Sequence, residues 1–102
     1  MDTVNRQLVF EDFSDKVGGV FALRDDGVPE LALTLKQADP LNPAYGLKGV
    51  RPPFSLIFLA ADPRVLPQRL YRMEHERLGA VTIFLVPIAK DAEGVRYQAT
   101  FN

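Results

Sequence analysis

Apolar side chains along this chain fall into short runs of β-strand length, separated by breaks that carry Pro, Gly or Asp. From Phe54 onward the runs read FSLIFLA, QRLYRMEH, AVTIFLVPIA and VRYQATF, the outline of one continuous β-meander. Val95, Tyr97, Ala99 and Phe101 alternate with Arg96, Gln98 and Thr100, and Leu31, Leu33 and Leu35 alternate with Ala32, Thr34 and Lys36. A period of two marks a strand with one face in the core and one in water. Phe54–Ala60 and Ala80–Pro87 are instead apolar on both faces. One-sided antiparallel strands alternate, so these two are expected to have their second face covered by an N-terminal helix, a long loop or a partner chain.

Three other stretches complete the outline. Leu8 to Val17 carries Phe10, Phe13 and Val17 at helical spacing, with Glu11 and Asp12 early, Lys16 late and Gly18-Gly19 following. That order suits the helix dipole and a glycine C-terminus, and predicts one helix of two or three turns docked by its Phe face. Val20–Arg24 opens a strand that ends at the turn signal Asp25-Asp26-Gly27. Gln68–His75 fits two patterns. A helix would align Leu66, Leu70 and Met73 behind Pro67, whereas a strand sets Tyr71, Met73 and His75 against Leu70, Arg72 and Glu74. The strand is preferred because His75–Gly79 then makes a hairpin connection that pairs Gln68–His75 with Ala80–Pro87.

Asp39–Pro53 holds four of the eight prolines and reads as a long ordered loop, pinned by Leu41, Tyr45 and Leu47. Residues 1–7 are polar and expected to fray. The expectation is a single all-β domain over residues 1–102: about six antiparallel strands in a small roll, sandwich or partly closed barrel, with one short N-terminal helix.

Composition narrows the function classes. With 102 residues and 47% apolar side chains, the chain supports one core and is not globally disordered. Its net charge of −1 supplies no basic stripe for phosphates, so no nucleic-acid partner is expected. Tyr71, Tyr97 and Arg72 read as sealing a core edge and not as a stacking platform. Cysteine is absent, which removes disulfides and thiolate–zinc sites. No secretory signal is visible, and no apolar run approaches the ~20 residues a membrane helix needs. A cytoplasmic protein, or one incorporated into a particle without a cleaved signal peptide, is expected.

Candidate chemistry is sparse. His75 is the sole histidine, and its neighbours Glu74 and Glu76 would point to the opposite face. A structural histidine closing the hairpin through side-chain hydrogen bonds is the preferred reading. Asp25, Asp26, Asp62, Asp91 and Glu93 lie in turns, where carboxylates bond local backbone, and neither DDG nor KDAEG supplies the oxygen spacing of a calcium loop. Ser14 and Ser55 sit in no nucleophile elbow, and no glycine spacing fits a phosphate loop. No catalytic residue, metal ligand or cofactor is expected, and the chain reads as a non-enzyme. Tyr45 and Arg51, residue types that anchor interfaces, are the candidate partner contacts. The alternative for that loop is a lid over an open barrel end. The competing functional reading is a small-molecule-binding β-barrel with Tyr71, Tyr97 and Arg51 at its mouth.

The motifs also carry a resemblance. Phe13, Val17, Gly18 and Phe21 form an N-terminal entry, followed by the PFSLIF strand. Leu66, Pro67, Gln68, Tyr71, His75, Leu78 and Gly79 form a hairpin pattern, Phe84-Leu85-Val86-Pro87-Ile88 a further strand, and Tyr97, Ala99, Phe101 and Asn102 the end. Over nearly the whole chain this resembles a family of small bacterial proteins known only as a domain of unknown function. The resemblance implies a genomic neighbourhood of phage-tail-like proteins with a collar domain, and hence a structural role in tail or appendage assembly through self-association or a protein partner. It implies no catalytic residues.

Overall fold

Side chains that turn inward at every second position close six antiparallel strands into a barrel. The computed structural model describes residues 3–41 and 52–102. A single helical turn, α1 (Glu11–Ser14), precedes β1 (Val20–Leu23), β2 (Leu31–Pro40), β3 (Phe54–Ala60), β4 (Arg69–His75), β5 (Gly79–Asp91) and β6 (Gly94–Phe101). The strand order around the barrel is β1-β2-β3-β6-β5-β4, with β4 returning to β1.

The expected hairpin is present: β4 pairs with β5 from Arg69↔Leu85 to His75↔Gly79. Gly79 adopts φ of 94°, a left-handed conformation that glycine takes without a Cβ clash. The expected continuous meander is not. β3 pairs with β2 and β6, never with β4, so residues 61–68 form a strap across one barrel end. The chain therefore makes two three-stranded meanders, β1-β2-β3 and β4-β5-β6, joined along the seams β3–β6 and β1–β4. The second seam is short, with only Ala22↔Glu74 and Leu23↔Met73 in register. It is extended by Arg24 N–H donating to the Arg72 carbonyl (3.1 Å) and Arg72 N–H donating to Asp25 (2.9 Å). The Arg24 guanidinium clamps it from outside, at 2.7 Å from Glu74 and 2.8 Å from Glu30.

Inside lie Phe21, Leu33, Leu35, Leu56, Phe58, Met73, Ile83 and Leu85 with their neighbours, almost wholly removed from water. Each large side chain buried this way contributes about 1.5–3 kcal/mol. The helical turn stoppers one end. Phe13 is fully buried and meets Phe21, Phe54 and Phe101 with ring centroids 5.9–6.1 Å apart, while Phe10 packs edge-on against Phe54.

Three local expectations are corrected. The helix is one turn and not two or three, and Val17, 51% exposed, lies beyond it, because Gly18 donates to the Leu35 carbonyl at 2.7 Å and starts the β1–β2 pairing early. Strand β2 continues through Asp39 and Pro40, opposite Ser55 and Phe54, so the long loop cannot begin at Asp39; Pro fits at a strand end, where no ladder donor is required. Residues 42–51, with Tyr45, Leu47 and Arg51, lie outside the described residues. For the second face of β5, no intramolecular cover is seen among the described residues, where Thr82 and Phe84 are exposed; a partner chain is the third of the covers expected. Finally, of the residues expected to fray, Thr3, Val4 and Arg6 are joined to the body, through the parallel bridge Thr3↔Ala80, Val4 N–H donating to the Ala80 carbonyl (2.8 Å), and an Arg6–Asp12 ion pair.

Candidate functional site

His75 ends β4 on the inward face, 5% exposed. Its Nδ1 accepts hydrogen bonds from the backbone N–H groups of Arg77 (3.0 Å) and Leu78 (3.4 Å), closing the turn into β5 as the hairpin reading expected. The ring packs 4.7 Å from that of Phe21. Burial, followed by the nearby cations Lys16 and Arg77, holds its pKa below the ordinary imidazole value. With its lone pair engaged by two amides, Nδ1 is occupied as an acceptor and is no ready general base.

Three of the five turn carboxylates likewise bond backbone, while Glu93 accepts from the Arg96 guanidinium. Asp25 accepts from Asp26 and Arg72 N–H, Asp62 from Arg64 N–H, and Asp91 from Glu93 N–H. The Arg64 side chain, with that backbone bond second, draws the Asp62 pKa down to about 2. Ser14 ends the helical turn at the surface, and Ser55 is half-buried on the outer face of β3. Among the described residues no group of three or more His, Asp or Glu side chains is placed to hold a metal ion. No described helix is long and apolar enough to cross a membrane.

Tyr71 and Tyr97, read as sealing a core edge and set at a ligand-binding mouth only in the competing reading, are fully buried and tie down the strap. The Tyr97 hydroxyl accepts from Leu66 N–H at 3.0 Å and donates to the Arg64 carbonyl at 3.4 Å. The Tyr71 hydroxyl donates to the Pro67 carbonyl, and the Arg69 guanidinium lies 4.5 Å from the Tyr71 ring centre. Among the described residues, open clefts outside the barrel include one of about 380 Å³ lined by Arg24, Asp25, Asp26, Val28 and Glu30, and one of about 260 Å³ lined by Val65, Pro87, Ala89, Lys90 and Val95. In the first, Arg24 is already engaged by Glu30 and Glu74, so its charge is spent within the protein.

The feature missed in the sequence is on the outer face. Leu70 and Phe84 stand directly opposite each other across β4 and β5, 57% and 45% exposed. The signal was present: a hairpin closing His75 against Gly79 sets 70 opposite 84 by counting back along both strands. Nearby on β5, Ile88 is also exposed and Val86 half-buried. Exposed apolar residues are ordinary when scattered singly, whereas patches larger than a few hundred Å² are candidate interaction surfaces.

Comparison with known proteins adds a family and no activity. Residues 8–101 match the family model described as Domain of unknown function (DUF6916). No curated protein matches, and no solved structure matches.

Proposed function

The chain belongs to the DUF6916 family, and from that premise we propose that it is a non-catalytic assembly module working through protein–protein contact. The observation that carries this reading is the Leu70–Phe84 pair, two large apolar side chains set side by side in water on the outer face of the barrel. A ligand barrel would need an enclosed apolar cavity of about 300 Å³ or more. Among the described residues, Phe21, Phe58, Met73, Ile83, Tyr71 and Tyr97 are buried inward, which supports an interaction module over a ligand barrel. The engagement of His75 and of Asp25, Asp62 and Asp91 in backbone hydrogen bonds supports the same reading. The partner is a further copy of the chain or a protein of the phage-tail-like kind that the sequence resemblance implies.

Light scattering of the purified protein, combined with affinity capture and mass spectrometry from its native host, tests the proposal. Association is expected for the natural chain and is expected to be lost in Leu70→Ser and Phe84→Ser. Surface changes of this kind alter stability by only about 0.5 kcal/mol, so the melting temperature should hardly move. A strictly monomeric chain that recovers no partner and binds a small metabolite would overturn it.

A further inference from the structure

We propose that the β4–β5 corner is a proton-operated latch, in which protonation of His75 frees the turn 76–78 and loosens the N-terminal stopper from its end of the barrel. The geometry makes one nitrogen responsible for the turn. Nδ1 accepts from both Arg77 and Leu78 N–H, which requires its lone pair and therefore the neutral ring with the proton on Nε2. A proton on Nδ1 turns that acceptor into a donor facing two donors.

The same corner is bound to the stopper. Arg77 donates from Nη2 to the Asp15 carbonyl at 3.1 Å and forms an ion pair with the Asp15 carboxylate at 3.5 Å. Gly19 lies so close beneath the imidazole that a Cβ there would stand 3.1 Å from Nε2 and 2.9 Å from the Lys16 carbonyl. Phe21 bridges onward, touching His75 on one side and Phe13 on the other. Displacing the ring therefore disturbs the turn, the segment 15–19 and the aromatic stopper together.

The charges around the ring set the direction. From the stopper segment Lys16 and Asp15 face it, and from its own turn Arg77 and Glu76; burial and the two cations outweigh the two carboxylates and favour the neutral form. An opened corner would restore an ordinary imidazole pKa of about 6.5. The open state then binds more protons than the closed state between that value and the lower closed-state pKa. Closure is thus fully supported above pH about 6.5 and weakens as pH falls through this window, by up to about tenfold per pH unit for a single proton. The latch is a property of the fold and does not depend on what the outer face binds.

Amide hydrogen exchange measured by NMR from pH 7.5 down to about 4.5, corrected for intrinsic exchange, tests it on the whole chain. Protection at Arg77, Leu78 and residues 15–19 is expected to fall together, tracking the titration of the His75 ring nitrogens in the same samples. In His75→Asn the side-chain oxygen can take the place of Nδ1 as a non-titrating acceptor, and the pH-dependent loss should vanish. Equal loss in both proteins would overturn the proposal. So would a His75 titration during which these amides stay protected, a result readable in the natural chain even if the variant does not fold.

Discussion

The two ends of the barrel are closed in different ways. At the end where α1 docks, closure is aromatic: Phe10, Phe13, Phe54 and Phe101 interlock, and shape and burial do the holding. At the opposite end, the strap 61–68 is held by Tyr71 and Tyr97, whose hydroxyls reach its backbone at Arg64, Leu66 and Pro67. Ring packing tolerates sliding and is worth much per side chain, about 0.5–1.5 kcal/mol per aromatic pair beyond area burial. A hydroxyl bonded to one buried amide is worth a similar amount, about 0.5–1.5 kcal/mol, but fixes position, and leaving that amide unpaired is costly. One end is closed by bulk and the other by address.

That contrast can be broken most forcefully at Phe13. Phe13→Ala removes a fully buried ring and should cost about 3–5 kcal/mol, lowering the melting temperature by roughly 12 °C or more for a domain of this size; chemical denaturation gives the number. A loss below 1 kcal/mol would mean the stopper is not integral to the core.

A smaller effect is expected at the strapped end from Gly94→Ala. Gly94 has φ of 132°, and a Cβ there would lie 1.9 Å from the carbonyl oxygen of Ala60, where β3 hands over to the strap. Backbone strain of this kind costs about 1–3 kcal/mol, and the strap must shift as well. The change should appear as increased exchange at Leu66 N–H before the global transition.

Tyr97→Phe sharpens the contrast furthest. It keeps the ring and removes the hydroxyl, both the acceptor for Leu66 N–H and the donor to the Arg64 carbonyl, for an expected loss of about 1–2 kcal/mol. Denaturant midpoints should fall without a change in slope. If Tyr97→Phe is silent, bulk alone closes this end too.

Much of the barrel was legible because strands carry their burial pattern locally. Tyr71, Met73 and His75 announced the inward face of β4, and the short connection to Gly79 announced its partner. The role of His75 followed from its isolation among residues unable to form a site with it. What the sequence concealed is non-local. Nothing in FSLIFLA says that its other neighbour is VRYQATF and not RLYRMEH, because edges are chosen by closure of the whole ring. Val17 misled because helical spacing continued past Ser14, where the helical turn ends just before Gly18 pairs with β2. Leu70 and Phe84 were each visible, but their exposure depends on what lies above them, which periodicity does not report.

The strand order has a kinetic consequence. Exchanging β1 with β4, β2 with β5 and β3 with β6 maps the ring onto itself, and both middle strands carry a register shift, at Leu35/Gln37 and at Pro87/Ala89. Each half is a local meander able to begin folding alone, whereas seams such as Ile57↔Gln98 and Ala22↔Glu74 join residues far apart in the chain. Loop closure must precede the reward from those seams, so docking of two preformed halves should set the folding rate. Cleavage within residues 61–68 would then leave two fragments able to find each other and reassemble the barrel.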